Sequence, residues 1–114
     1  MLPEEDLVRK IATIAHNEKA LNVSILDIRN LTVLADFFII ASGRSTLQVK
    51  NLATTITRTL SEELGLNPLR QEGLAEGKWA VLDYGTVIIH LFRQEERDFY
   101  QLEHLWADAL PVLV

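Results

Sequence analysis

The 114-residue chain contains no cysteine, so it can form neither a disulfide framework nor a thiolate metal site. No apolar run approaches the roughly 20 residues that a membrane-spanning helix needs. The N-terminal segment is acidic, unlike a secretory signal or an organelle transit peptide. Internal repeats and low-complexity segments are also missing. We therefore expect one domain over residues 1–114, located in the cytoplasm, or in a plastid stroma after removal of a transit peptide.

Basic residues are scarce in the second half of the chain. The net charge is −5, yet residues 1–70 carry eight acidic and eight basic side chains. Residues 71–114 carry eight acidic and only three basic side chains. Such a surface repels phosphate backbones and favours a basic partner, so direct nucleic-acid binding is disfavoured. A merely solvated acidic face is the alternative interpretation.

Hydrophobic periodicity predicts helices and strands in the order α-β-β-α-β-β-β-α. The helices are predicted at residues 3–19, 45–64 and 95–109. The strands are predicted at residues 21–28, 37–41, 66–70, 79–82 and 87–92. We expect the first and third strands at sheet edges and the uninterrupted apolar second strand at the centre. This order predicts a mixed α/β or α+β domain with a mixed sheet of about five strands.

The ends of the helices carry their own signals. Ser45 and Gln48 have the spacing of a capping box at the start of the second helix, and Gly65 suits its left-handed C-terminal cap. Pro111 is expected to end the last helix. That helix is predicted to bury one face, formed by Phe99, Leu102, Trp106 and Ala109.

The sequence gives little support for an enzyme active site. The turn Gly43–Ser45, between a strand and a helix, could hold a phosphate on its backbone N–H groups, but it matches no phosphate-binding motif. Ordinary turn and cap chemistry is the favoured interpretation. A strand–Gly–Ser–helix layout is also typical of the nucleotidyltransferase fold, whose enzymes need strand carboxylates to hold two metal ions. Residues 46–61 contain no acid, and Asp83 has no acidic neighbour two residues away.

Histidines do not form a metal site by spacing either. His16, His90 and His104 lack the i, i+4 arrangement of helical metal ligands. His90 lies within an apolar strand, where we expect a packed side chain bonded to a backbone carbonyl.

Aromatic side chains are concentrated in one region. Residues 77–106 contain both Trp, both Tyr and two of the four Phe. This region is predicted to form two strands joined by a tight turn at Asp83–Thr86, followed by a helix. Trp106 is expected in the core, whereas Trp79 is expected either at the core edge or as an interface anchor. Aromatics and carboxylates without a nucleophile–base pair indicate a docking surface.

Several segments in order resemble the ribosomal silencing factor family, also called Iojap. Its first half is matched by Asp27-Ile28, Ala35–Gly43 and Gln48–Lys50. Its second half is matched by Glu72-Gly73, Trp79–Gly85, Val87–Phe92 and Arg97–Trp106. The resemblance covers roughly residues 5–108. Thr86 and Asn22 depart from the family pattern, which often has acids at both positions.

The resemblance implies a non-enzymatic translation repressor that uses no cofactor or metal. It implies docking on the large ribosomal subunit, through the basic protein numbered fourteen of that subunit, and steric blocking of small-subunit joining. It also implies a nucleotidyltransferase-like fold without the catalytic carboxylates. The alternatives are a large-subunit assembly factor, a homodimeric interaction module and, less favoured, a nucleotide-binding enzyme.

By the same resemblance, a docking role is transferred to one group of residues: Trp79, Leu82, Asp83 and Tyr84, with Tyr100 and Glu103 as weaker additions. Trp79 and Leu82 would supply desolvated apolar contact. Asp83 and Glu103 would meet Lys or Arg of the partner.

Overall fold

One mixed sheet organises the molecule. The computed structural model describes residues 3–106 and 109–112. Its elements are, in chain order, α1 (Glu4–Asn17), β1 (Leu21–Asp27), β2 (Phe37–Gly43), α2 (Thr46–Leu64), β3 (Arg70–Glu72), β4 (Trp79–Asp83), β5 (Val87–Arg93), α3 (Gln94–Tyr100), α4 (Leu102–Leu105) and β6 (Leu110–Val112). The strand order is β3-β4-β5-β2-β1-β6. Only β2 and β5 pair in parallel among these described strands. The mixed α+β fold is confirmed, with one strand more than expected.

Helices α1 and α2 cover one face of the sheet. Their buried stripes are Val8, Ile11, Ala12 and Ala15 on α1, and Val49, Leu52, Ala53, Ile56 and Leu60 on α2. The predicted caps of α2 are confirmed, since the Ser45 hydroxyl accepts from the Gln48 N–H at 3.1 Å and Gly65 adopts φ +66°. None of the helices in the described ranges combines the length and the apolar character that crossing a bilayer requires.

The central strand is β2, as its apolar run predicts. All seven of its residues are buried, and it pairs with β1 on one side and β5 on the other. Side chains alternate between the two faces of the sheet. Phe37, Ile39 and Ala41 pack in the cluster beneath α1 and α2, whereas Phe38 and Ile40 belong to clusters on the opposite face.

The prediction that β1 is an edge strand is wrong, because β6 pairs outside it. The polar side chains of β1 have another cause. Its register shifts between Leu21 and Ser24, where Asn22 adopts φ +50°, and this bulge turns polar groups toward α3. Pro111 does not end a helix but lies in β6, at the sheet edge, where a missing N–H is tolerated. Strand β3 is at the other edge, as expected, but it spans Arg70–Glu72.

The single C-terminal helix predicted at residues 95–109 is also wrong. The chain breaks it at Gln101, which adopts φ +50° between α3 and α4. The sheet-facing side chain of α3 is Arg97, so Phe99 points outward and is 80% exposed rather than buried. Leu102 is buried, and Trp106 packs against two clusters of the sheet as expected. Residues 107–108 of the predicted helix lie outside the described residues.

Candidate docking site

The face opposite α1 and α2 is only partly covered by the described residues. Helices α3 and α4 pack over β5, β2 and β1, where Leu102 and Trp106 meet Ile40 and Phe92. Strand β4 lies farther out, next to the edge strand β3. Its residues Trp79, Val81 and Asp83, which we call the β4 face, are each partly exposed. The sheet therefore offers a partner an aromatic and acidic surface beside α3.

Trp79 lies at the centre of an aromatic group. Its indole stacks on Phe92 with a centroid distance of 4.8 Å and an interplanar angle of 27°. Tyr100 contacts the same indole at 5.1 Å and is itself 51% exposed. Phe99 continues the group, edge to face with Tyr100 at 5.1 Å. Trp79 is thus a core-edge residue by packing while it remains accessible from outside, and Tyr100 lies beside it.

Asp83 lies at the opposite end of the β4 face. One carboxylate oxygen accepts from the Gly85 N–H at 2.8 Å, which closes the turn between β4 and β5. The other accepts from Arg70 at 3.1 Å, across the β3–β4 pair. The Arg70 side chain is 73% exposed, so this ion pair is solvated and weak.

Leu82, to which the resemblance assigns a docking role, does not lie on the β4 face. It is 0% exposed and packs in the cluster beneath α1 and α2. Tyr84 packs against that same cluster, and burial raises the pKa of its hydroxyl to about 12. Both side chains point away from the β4 face because alternate strand residues face opposite sides. The resemblance pointed to this segment but carried no information about which face of the sheet each side chain occupies.

The carboxylate of Glu103 forms an ion pair within the chain, with Arg97, a residue to which the sequence assigned no role. This carboxylate accepts from Arg97 Nε at 3.0 Å and from a terminal guanidinium nitrogen at 2.9 Å. Arg97 is 6% exposed and also donates to the Asn22 carbonyl and to the Ser42 hydroxyl. The pair therefore fastens α3 and α4 to the sheet. Local sequence held no signal for it, since Asn22 and Ser42 are 75 and 55 positions away.

A polar cleft of about 640 Å³ lies beside this ion pair, between β1 and α3. Its lining includes Ser24, Arg97, Glu103 and His104. The five N–H groups of the Arg97 guanidinium already donate to Glu103, Asn22, Ser42 and Ser24. The charged side chains Arg97 and Glu103 of the cleft are thus paired with each other, and no guanidinium N–H of Arg97 is left for an anionic ligand.

His90 is packed, as expected, but the predicted bond to a backbone carbonyl is wrong. Its Nδ1 accepts from the indole Nε1 of Trp79 at 3.1 Å. The side chain is 8% exposed, and burial lowers the pKa of His90 to about 4. The bond crosses from β5 to β4, a relationship that becomes visible only when the strand register is known.

The turn Gly43–Ser45 has the cap chemistry that the sequence favoured. The Arg44 N–H donates to the Gln48 side-chain oxygen at 2.7 Å, and Ser45 accepts from the Gln48 N–H. The Gln48 amide in turn donates to the Lys19 carbonyl at 3.1 Å. These groups bond to one another rather than point at a vacant anion site. Across the described ranges, His, Asp and Glu side chains form no group of three or more that could hold a metal ion.

Fold and site together define the class of this protein: a small mixed α+β domain with a half-covered aromatic sheet face. A family model described as "Ribosomal silencing factor during starvation" matches residues 2–113. The chain therefore belongs to the ribosomal silencing factor family, as the sequence resemblance indicated.

Individual relatives agree with this assignment. The chain is 37% identical to the ribosomal silencing factor RsfS of Bacillus subtilis, over 90% of this chain and 86% of that protein. It is 32% identical to the RsfS of Halalkalibacterium halodurans, over 97% of this chain and 94% of that protein. A crystal structure of a protein from Chromobacterium violaceum superposes with a TM-score of 0.85 at 33% identity, covering 92% of this chain and 88% of that one.

Proposed function

We propose that this protein is a cytoplasmic, non-enzymatic repressor of translation that binds the large ribosomal subunit and blocks its joining with the small subunit. The observation that carries the proposal is the β4 face, with Trp79 accessible beside Tyr100 and Phe99. Exposed aromatic groups of this kind are typical of protein interfaces, where they supply large contact areas with few rotatable bonds. Family membership supports the ribosome as the partner.

The proposed contact on the subunit is its protein numbered fourteen, a basic protein. Charge supports a basic partner, because residues 71–114 carry eight acidic and three basic side chains. Asp83 sits on the β4 face and, among the residues that the structure describes, pairs with the exposed Arg70. Exchange of Arg70 for a Lys or Arg of the partner keeps the carboxylate paired while the surface is desolvated.

The docking residues that we propose differ from those expected from sequence alone. Trp79, Asp83 and Tyr100 are kept, and Val81 and Phe99 are added because they share the exposed surface. Leu82 and Tyr84 are left out because they face the opposite side of the sheet. Glu103 acts indirectly, through Arg97.

Repression is proposed to be steric. The single domain measures about 34 × 32 × 24 Å along its principal axes. A body of that size, bound flat through the β4 face, occupies the surface that the small subunit must approach. No chemical step is needed for this effect.

Co-sedimentation with isolated ribosomal subunits tests the proposal. We expect the protein to pellet with large subunits and not with small subunits. Trp79→Ala should fold but lose about 30-fold in affinity, since buried interface Trp residues contribute about 2 kcal/mol or more. The matched control is Leu47→Ala, an exposed apolar residue of α2 on the other side of the sheet, which should bind like the wild type. Equal binding by both variants would refute the assigned face.

A further inference from the structure

A hydrogen bond ties the docking residue Trp79 to the buried His90. The two residues lie on the neighbouring antiparallel strands β4 and β5, where His90 is opposite Val81 and therefore diagonal to Trp79. Diagonal neighbours on one sheet face are within reach of long side chains. The indole Nε1 of Trp79 donates to His90 Nδ1 at 3.1 Å.

The direction of this bond fixes the protonation state of His90. An indole N–H can only donate, so Nδ1 must be the unprotonated acceptor, and the proton of the neutral ring is on Nε2. The ring is 8% exposed. Burial disfavours the charged imidazolium and lowers the pKa of His90 to about 4. At neutral pH the residue is therefore a permanent acceptor toward Trp79.

His90 is itself held in place by aromatic rings. Phe38 meets it edge to face with a centroid distance of 4.9 Å, and Phe92 lies nearly parallel to it at 6.3 Å. Trp79 also stacks on Phe92, but stacking alone permits the indole to slide or to turn over. The bond to a fixed acceptor selects one of these orientations. Stacking and hydrogen bonding together thus define both the plane and the direction of the indole.

The hydrogen bond to His90 determines which part of the Trp79 indole a partner can contact. The Nε1–H of Trp79 is already used by His90 and one ring face is stacked on Phe92, so the part of the indole that stays accessible consists of ring carbons. Such a surface suits the methylene chain or the cationic head of a Lys or Arg, which binds to an indole face without accepting a hydrogen bond. A side chain held in its bound orientation also loses less entropy on association.

We propose that His90 is a positioning residue for docking: it holds the indole of Trp79 in one orientation, as an apolar and π-electron platform for a Lys or Arg side chain of the partner. This inference rests on the proposed function, since it assumes that Trp79 contacts the ribosomal partner. His90 lies behind Trp79 and acts only through it.

Three substitutions separate positioning from simple packing. His90→Asn keeps a side-chain oxygen near the position of Nδ1, whereas His90→Leu removes the acceptor at similar bulk. Trp79→Phe removes the donor from the other side. We expect His90→Leu to weaken binding to large subunits about fivefold, the equivalent of one neutral hydrogen bond, and His90→Asn to recover most of that loss. In a Trp79→Phe background, His90→Leu should change binding no further.

Nuclear magnetic resonance of the free protein detects the hydrogen bond between Trp79 and His90 without the ribosome. We expect a long-range ¹H–¹⁵N spectrum to show unprotonated Nδ1 and protonated Nε2 on His90. The indole N–H of Trp79 should exchange slowly in the wild type and in His90→Asn, and faster in His90→Leu. The indole of Trp106 serves as the internal reference, and thermal melts verify that each variant is folded. If His90→Leu does not fold, Trp79→Phe and the wild-type spectrum carry the test.

The outcomes distinguish this inference from the function on which it rests. Loss of binding in Trp79→Ala together with wild-type binding in His90→Leu would overturn the positioning role and leave the docking face intact. A protonated Nδ1 would overturn it as well. Wild-type binding by Trp79→Ala would overturn the docking face, and the positioning role with it. Weak binding in His90→Leu, recovery in His90→Asn and a slow indole N–H would support it.

Discussion

The two faces of the sheet differ in composition although the same strands form both. The face beneath α1 and α2 is mainly aliphatic and closed, with residues such as Ile39, Leu82 and Ile89 at 0% exposure. The opposite face holds aromatic rings, the imidazole of His90 and the buried guanidinium of Arg97, under two short helices. One face therefore supplies most of the burial that stabilises the fold. The other retains polar groups and an accessible surface, which are features of a binding site.

Strand β4 makes this contrast sharpest, since neighbouring residues belong to different faces. Leu82→Ala should lower the free energy of unfolding by about 2–5 kcal/mol, because it leaves a cavity in the closed face. The binding of the folded variant to large subunits should stay unchanged. Val81→Ala is the matched control, with a small change in stability and weaker binding. Urea unfolding and co-sedimentation measure the two quantities, and a reversed pattern would contradict the assignment of faces.

The pH dependence of stability should report on His90, the buried imidazole of the aromatic face. The pKa of His90 is about 4 in the folded chain, below the usual value of 6.5 of a free histidine. The unfolded chain therefore binds the proton first, and stability falls as pH drops from about 6.5 toward 4. The loss should reach about 3 kcal/mol at 1.36 kcal/mol per pKa unit.

His90→Asn isolates this contribution, because the carboxylates of the chain titrate in both proteins. Between pH 7 and pH 4 the unfolding free energy of the wild type should fall by about 3 kcal/mol relative to that of His90→Asn, because only the wild type has the buried imidazole. A difference that is constant over this range would mean that His90 does not titrate as described.

Glu103 tests whether an acidic residue of the aromatic face acts on the partner or within the chain. Glu103→Ala leaves the guanidinium of Arg97, which is 6% exposed, without its carboxylate. We expect a loss of about 2 kcal/mol in stability, below the 3–5 kcal/mol typical of fully buried pairs, since Glu103 is partly exposed. His104→Ala is the exposed neighbour for comparison. Weaker ribosome binding at unchanged stability would restore Glu103 to the docking surface.

The exposed pair of Arg70 and Asp83 should give the smallest effect. Arg70→Ala should change stability by no more than about 0.5 kcal/mol, because the pair is solvated. It should also strengthen binding slightly, by about twofold, since Asp83 is released for a basic group of the partner. Calorimetry and co-sedimentation at two salt concentrations check both parts. A marked loss of binding would show that Arg70 itself contacts the subunit.

Sequence reasoning succeeded where local signals determine the structure. The existence of α1 and α2, the Ser45 cap and the apolar run of β2 are encoded by neighbouring residues, and all were predicted. The resemblance of the chain to its family was also recognisable from the sequence alone.

Sequence reasoning failed where contacts between residues far apart in the chain determine the structure. The break at Gln101 accompanies the burial of Arg97 against β1 and β2, which no local pattern records. The bond between Trp79 and His90 depends on strand register, and the exclusion of Leu82 depends on which way each strand residue points. A one-residue difference in phase moves a side chain to the other face. The sequence could therefore indicate a candidate docking segment, but it could not predict which side chains of that segment share an accessible face.

Side-chain footprinting of the whole protein, free and bound to large subunits, tests the central claim most directly. The account predicts that Trp79, Phe99 and Tyr100 become protected from hydroxyl radicals on binding, while Leu47 of α2 keeps its reactivity. Protection of Leu47 with unchanged reactivity of the three aromatic residues would show that the protein docks through its helical side and would contradict the account.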